Sequence, residues 1–118
     1  MKILITLQGD HVAPRFDLCT EVLIATSDKQ GKIRGEPRTV LLPGPSSDEL
    51  CSLIIREEIS LVICGGIEET HFQYLAWKKI TVIDRIIGSW RKALNLALTG
   101  RLQTASVLPE KEEGMANE

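Results

Sequence analysis

The hydrophobic pattern opens with strands and closes with strands alternating with helices. Residues 2–7 put Ile, Leu and Thr in one nearly unbroken run, the pattern of a strand buried on both faces. The stretch 8–17 (QGDHVAPRFD) mixes Gly, Asp, His, Pro and Arg and reads as a loop. Residues 21–26 form a second apolar strand, 27–32 a polar turn, and Ile33 to Leu42 a third strand. Strand, short turn, strand is a hairpin signature. Pro37 places the third strand at an edge, because proline has no N–H to give a ladder.

The period changes after Pro43-Gly44-Pro45. Ser46 and Glu49 have capping-box spacing, and Leu50, Leu53 and Ile54 follow at helical intervals until residues 56–58. Residues 60–64 form a short buried strand stopped by Gly65-Gly66. A second helix spans 68–77, with Phe72, Leu75 and Ala76 on one face and Tyr74 and Trp77 beside it. Residues 80–83 are another strand. Ser89 is placed to cap a last helix whose stripe is Trp90, Ala93, Leu94, Ala97 and Leu98, and Gly100 stands where a C′ glycine belongs.

The order βββαβαβα predicts an α/β domain with one mixed sheet of five strands covered by three helices. The strands at 2–7 and 60–64, the most apolar, are expected to be central neighbours. The domain is expected to cover 1–104, leaving a polar tail at 105–118 that is expected to be disordered.

Composition narrows the class. At 118 residues with 43% hydrophobic and 25% charged, the chain suits one globular domain. Aromatic residues reach only 4%, so the core must rest on Ile, Leu and Val, with Trp77 and Trp90 as expected core anchors. A net charge of −2 argues against nucleic-acid binding, which draws on a basic surplus. No run is long enough to span a bilayer, and the opening apolar run is too short for a signal peptide, so a cytoplasmic location is expected. Cys19, Cys51 and Cys64 are odd in number and widely spaced, which disfavours a disulfide framework or a self-contained zinc site.

In open α/β sheets, ligands gather beyond the carboxyl ends of the strands. That rule points to Gly9-Asp10-His11 and to Cys64-Gly65-Gly66-Ile67. Paired glycines let a backbone approach a ligand, the following helix start offers partial positive charge to an anion, and Cys64 could supply a thiolate. The plainer alternative is a buried Cys64 and a tight turn. Glu68 and Glu69 already answer the helix dipole. His11 could bind a metal, and Arg15 an anion or the neighbouring Asp17 or Asp10; an ordinary exposed loop is the alternative. His71, one turn beyond Ile67, could face the same crevice or only solvent. Cys51 reads as core, and Cys19 as either.

Catalysis lacks its parts. There is no GxSxG elbow and no Walker loop. A Cys64–His11 dyad has no evident third group to orient the histidine. A two-metal nuclease needs carboxylates on its central strands, and 2–7 and 60–64 carry none. No enzymatic activity is expected.

Val12-Ala13-Pro14-Arg15-Phe16-Asp17 before a strand, then Cys64-Gly65-Gly66-Ile67, then a closing helix ending Leu98-Thr99-Gly100-Arg101-Leu102 together resemble the dinitrogenase iron–molybdenum cofactor biosynthesis family, over about residues 1–104. The resemblance implies a ribonuclease-H-like fold without nuclease activity. It also implies a carrier or scaffold for metal–sulfur clusters, such as nitrogenase cofactor precursors or the copper–molybdenum sulfide cluster of the related orange protein. The chain departs from the commoner family pattern after Ile67, where Glu68-Glu69-Thr70-His71 replaces a small residue. The expectation is a non-catalytic carrier that reversibly binds a molybdenum- or iron-containing sulfide cluster. Cys64 and His11 are the candidate metal ligands, with His71 a further candidate, and Arg15, Gly65, Gly66 and Ile67 the anion-side contacts. Its partners would be the cluster and a donor or acceptor protein, with no nucleic acid and no membrane, and homo-oligomerisation as an option. The alternative is a metal-free regulatory or interaction domain acting through its surface.

Overall fold

The computed structural model describes residues 1–109. The strands are β1 (Lys2–Gln8), β2 (His11–Val12), β3 (Glu21–Thr26), β4 (Arg38–Leu41), β5 (Leu61–Ile63) and β6 (Thr81–Ile83). The helices are α1 (Ser47–Arg56), α2 (Glu69–Trp77) and α3 (Trp90–Leu98), and a 3-10 turn lies at Phe16–Leu18. The sheet order is β4-β3-β1-β5-β6, with β2 paired to the end of β1. The molecule is therefore a mixed α/β domain whose open sheet has six strands rather than the expected five. The extra one is the two-residue β2, too short to leave a periodic signal inside the loop 8–17.

β3 runs antiparallel to β1 from Lys2↔Thr26 to Leu7↔Glu21, while β5 runs parallel to it from Ile3↔Leu61 to Ile5↔Ile63. The two most apolar strands are thus neighbours, as their composition predicts. β4 is an edge strand, as Pro37 requires, but it begins at Arg38 rather than Ile33. Only an isolated Ser27↔Ile33 bridge precedes it. Gly35, at φ 72°, turns the chain out of extended geometry between them.

Alternation along the strands splits the core in two. Leu4, Val22, Ile24 and Val62 meet Leu50, Leu53 and Ile54 of α1 and Leu75 of α2 on one face. Ile3, Ile5, Leu23, Ala25 and Ile63 meet Ala93 and Leu94 of α3 on the other. The caps follow the sequence. The Ser46 hydroxyl accepts the Glu49 N–H at 3.1 Å, and the Ser89 hydroxyl accepts the Arg91 N–H at 3.1 Å. Beyond α3, Gly100 (φ 73°) donates to Ala97 O and Arg101 to Leu96 O, a Schellman closure.

Two further expectations change. Trp77 is no core anchor: it is 73% exposed, and Leu75 is the buried residue of α2. Two positions past Leu75 lies about 200° around the helix, which turns Trp77 to solvent. Trp90 is half-buried against the α3-side core. The second change concerns the expected tail, whose first residues are packed. Ile87 N–H donates to Ser106 O, Leu108 N–H donates to Ile87 O, and Leu108 is buried at 8% exposure. The disorder expected beyond Pro109 lies outside the described residues. Among those described, no helix is long and apolar enough to cross a membrane.

Candidate functional site

The parallel strands β1, β5 and β6 end at one rim, and the chain laces their following loops together there. Gly9, at φ 61°, turns the chain after β1, and β2 returns antiparallel through Leu7↔Val12 and Gln8↔His11. β3 occupies the other edge of β1, so β2 continues where β5 stops. The chain then crosses the end of β5. Ala13 N–H donates to Thr6 O, Gly66 N–H to Pro14 O and Phe16 N–H to Gly66 O, each at 2.8 Å. The loop after β6 completes the closure: Arg85 N–H donates to Gly65 O, Ile86 N–H to Cys64 O and Val12 N–H to Gly88 O.

This geometry explains the glycine pair. A Cβ on Gly65 would lie 2.5 Å from Pro14 O and 2.7 Å from its carbonyl carbon, so residue 65 must be glycine for the crossing backbone to pass. At Gly66 the corresponding contact is an ordinary 3.5 Å. The two turns singled out in the sequence do meet, but they close on one another. The Gly66 amide is committed to Pro14 rather than facing an anion.

Cys64 lies beneath that closure, 0% exposed, in the same cluster as Ala13, Phe16, Cys19 and Leu75. Burial pushes its thiol far above the ordinary 9.0, with smaller contributions from Asp84 and Cys19. It is core, as the plainer reading of the sequence had it. A fully buried Cys64 and an exposed His11 do not form a common exposed ligand pair. His11 stands on β2 above a hollow of about 300 Å³ that it lines with Pro14, Ile86, Ile87 and Gly88.

Arg15 is exposed and held by Asp17. Its Nε donates to Asp17 Oδ1 at 3.0 Å and an Nη to Oδ2 at 2.5 Å. That guanidinium hydrogen bond holds the Asp17 carboxyl below its ordinary range. An anion at Arg15 must therefore use its remaining donors or displace Asp17. A second hollow, about 340 Å³, lies beside it and is lined by Gln8, Leu18, Cys19 and Glu21 among others. Cys19, which the sequence left open, is 4% exposed; its Sγ donates to Glu21 O at 3.0 Å, and burial raises its pKa.

Ile67 is half-buried against the α1/α2-side core. His71 occupies a different place from His11. Its Nε2 lies 3.5 Å from Glu68 Oε1, and its ring centroid lies 6.2 Å from that of Phe16 with the planes tilted by 36°. It lines a cleft of about 400 Å³ between α1 and α2 with Asp48, Cys51, Ser52 and Tyr74. Among the described residues, no group of three or more His, Cys, Asp or Glu side chains is arranged to hold a metal ion. The rim therefore offers an exposed imidazole, a carboxylate-bound guanidinium and apolar walls, with every thiol buried. The sequence offers Asp17 as one partner of Arg15, and the structure shows that pair as a two-point fork; it leaves Cys19 open, because nothing marks which way a strand-opening cysteine turns.

No family model matches the chain, and no curated protein does. Solved structures do. The crystal structure of PH0822 superposes with a TM-score of 0.78 at 17% identity, covering 88% of this chain and 94% of that one. A protein from Methanocaldococcus jannaschii, provisionally named a dinitrogenase, gives 0.69 at 24% identity over 87% and 92% of the two chains. A Thermotoga protein provisionally named NifB, of the DUF35 family, gives 0.68 at 15% identity over 93% and 98%. The chain shares their fold.

Proposed function

We propose that this chain is a non-catalytic binding protein that carries a molybdenum- or iron-containing sulfide cluster, or its precursor, at the carboxyl rim of a ribonuclease-H-like sheet. The observation that carries the reading is the exposed His11 above an apolar-walled hollow of about 300 Å³, where the loops after β1 and β6 join. The nitrogenase-related names of two structural neighbours favour a nitrogenase-related role, and the class of cargo is inferred from that role. In this reading His11 is the protein ligand, and Arg15 is the anion contact through the donors Asp17 leaves unused. Cys64 supports the rim from beneath, and neither it nor His71 touches the cargo. One protein ligand suits a carrier, which must release what it holds to an acceptor protein.

Anaerobic incubation with iron, sulfide and molybdate, followed by metal analysis and visible absorption, tests this. A stoichiometric coloured cluster is expected. His11→Ala should weaken uptake at least about tenfold, and Cys64→Ala should leave it unchanged. A protein that stays colourless overturns the reading.

One observation favours the alternative, a metal-free interaction domain: the Gly66 amide and the Cys64 thiol are both committed to the fold rather than to a ligand. The colourless outcome selects it.

A further inference from the structure

A second hollow, of about 840 Å³, lies at the opposite end of the molecule, between the β3–β4 turn and the end of α3. Its lining is two-sided, with Met1 and Leu98 apolar and Lys29 and Arg34 cationic. Three observations converge there. First, Lys29 and Arg34 enter no ion pair among the described residues, whereas Lys2, Arg15, Arg38 and Arg85 each face a carboxylate. Second, Ser27 lines the hollow at 4% exposure, and its hydroxyl has no hydrogen-bond partner among the described groups. Buried hydroxyls are normally paired, so such an orphan calls for an explanation. Third, Asp28, the one carboxylate in the lining, feels the charge of Arg34 but spends Oδ1 on its own loop, accepting the Gln30 N–H at 2.9 Å and the Lys32 N–H at 3.0 Å. With Lys29 and Arg34 against Asp28 alone, the lining's side chains keep a net positive charge, and its volume falls within the range of small-molecule sites, about 300–1,000 Å³.

We propose that this hollow binds a small organic oxyanion. The anionic head sits between Lys29 and Arg34, an apolar stem lies against Met1 and Leu98, and the Ser27 hydroxyl, closed off as it stands, turns about its Cα–Cβ bond to donate to the head. The site is separate from the rim, and its test needs no metal cluster.

Amide shifts of the full chain, titrated with hexyl phosphate, hexanoate, inorganic phosphate and hexanol, decide the matter. Saturable shifts at Ser27, Arg34 and Leu98 are expected with hexyl phosphate or hexanoate, and the tighter of the two identifies the head group. Inorganic phosphate should bind at least about tenfold more weakly, because it has no stem to bury. Joint replacement Lys29→Ala/Arg34→Ala, at two exposed positions, should weaken binding about tenfold or more. No saturable shift up to about 10 mM, a value chosen to exceed ordinary metabolite affinities, overturns the proposal. So does hexanol binding as well as the anions, inorganic phosphate matching the hexyl compound, or a double variant that binds like the parent.

Discussion

Cys64 shows how far a single residue can be read without coordinates. Its place at a strand end before two glycines marks an interesting position in either reading, but the direction of its side chain depends on what crosses above it. That crossing is made by Ala13 and Pro14, some fifty positions away in a loop with no period. The geometry makes Cys64 a small apolar filler, and its substitutions should behave accordingly. Cys64→Ala should cost about 1–2 kcal/mol in urea unfolding, in line with removing a small buried group. Cys64→Ser should cost more, about 2–3 kcal/mol, because it buries a hydroxyl. Equal stability of the serine variant and the parent would mean that the position is wet. The thiols also set an alkaline limit. Burial raises Cys51 from 9.0 to about 11 and raises Cys64 too. In the unfolded chain both ionise near 9.0, so their contribution is complete below that pH and falls as pH climbs through the folded values. Urea midpoints should therefore hold steady from pH 7 to 8.5 and drop between about 9 and 11, and replacing both cysteines with alanine should flatten that drop.

At the scale of elements, periodic segments were legible and aperiodic ones were not. α1 and α3 follow from their caps and apolar stripes, and the pairing of β1 with β5 follows from two runs with no polar break. α2 lies where its pattern puts it, but Trp77, a core anchor by size and apolarity, is exposed: its position beside the face of Phe72 and Leu75 outweighs its bulk. The rim was half legible: the sequence located it, whereas the backbone exchange between 13–16 and 65–66 has no pattern of its own. The glycine pair allows a sharp check. Gly65→Ala should destabilise by about 2–3 kcal/mol, since its Cβ meets backbone atoms that cannot rotate away. Gly66→Ala should change stability by less than about 1 kcal/mol. Paired urea curves measure both, and similar losses for the two would contradict the crossing geometry.

For the whole molecule, one sheet serves two cores, so neither face can empty without the other. Ile54 lies on the α1/α2 side and Leu94 on the α3 side, at 0% and 5% exposure. Ile54→Ala and Leu94→Ala should each cost about 2–4 kcal/mol. In both variants, fluorescence of the tryptophans and far-ultraviolet dichroism should still give coincident transitions. A transition that splits would show the faces melting separately. The lacing at the rim carries this unity into segments that look peripheral. Phe16 and Gly66 belong to loops by sequence, yet their amide hydrogens hold together stretches fifty residues apart. In deuterated water they should exchange as slowly as the amides of Leu4 and Val62, through global opening alone. A surface that ties itself shut in this way has no hinge of its own, so it comes apart only when the whole fold does.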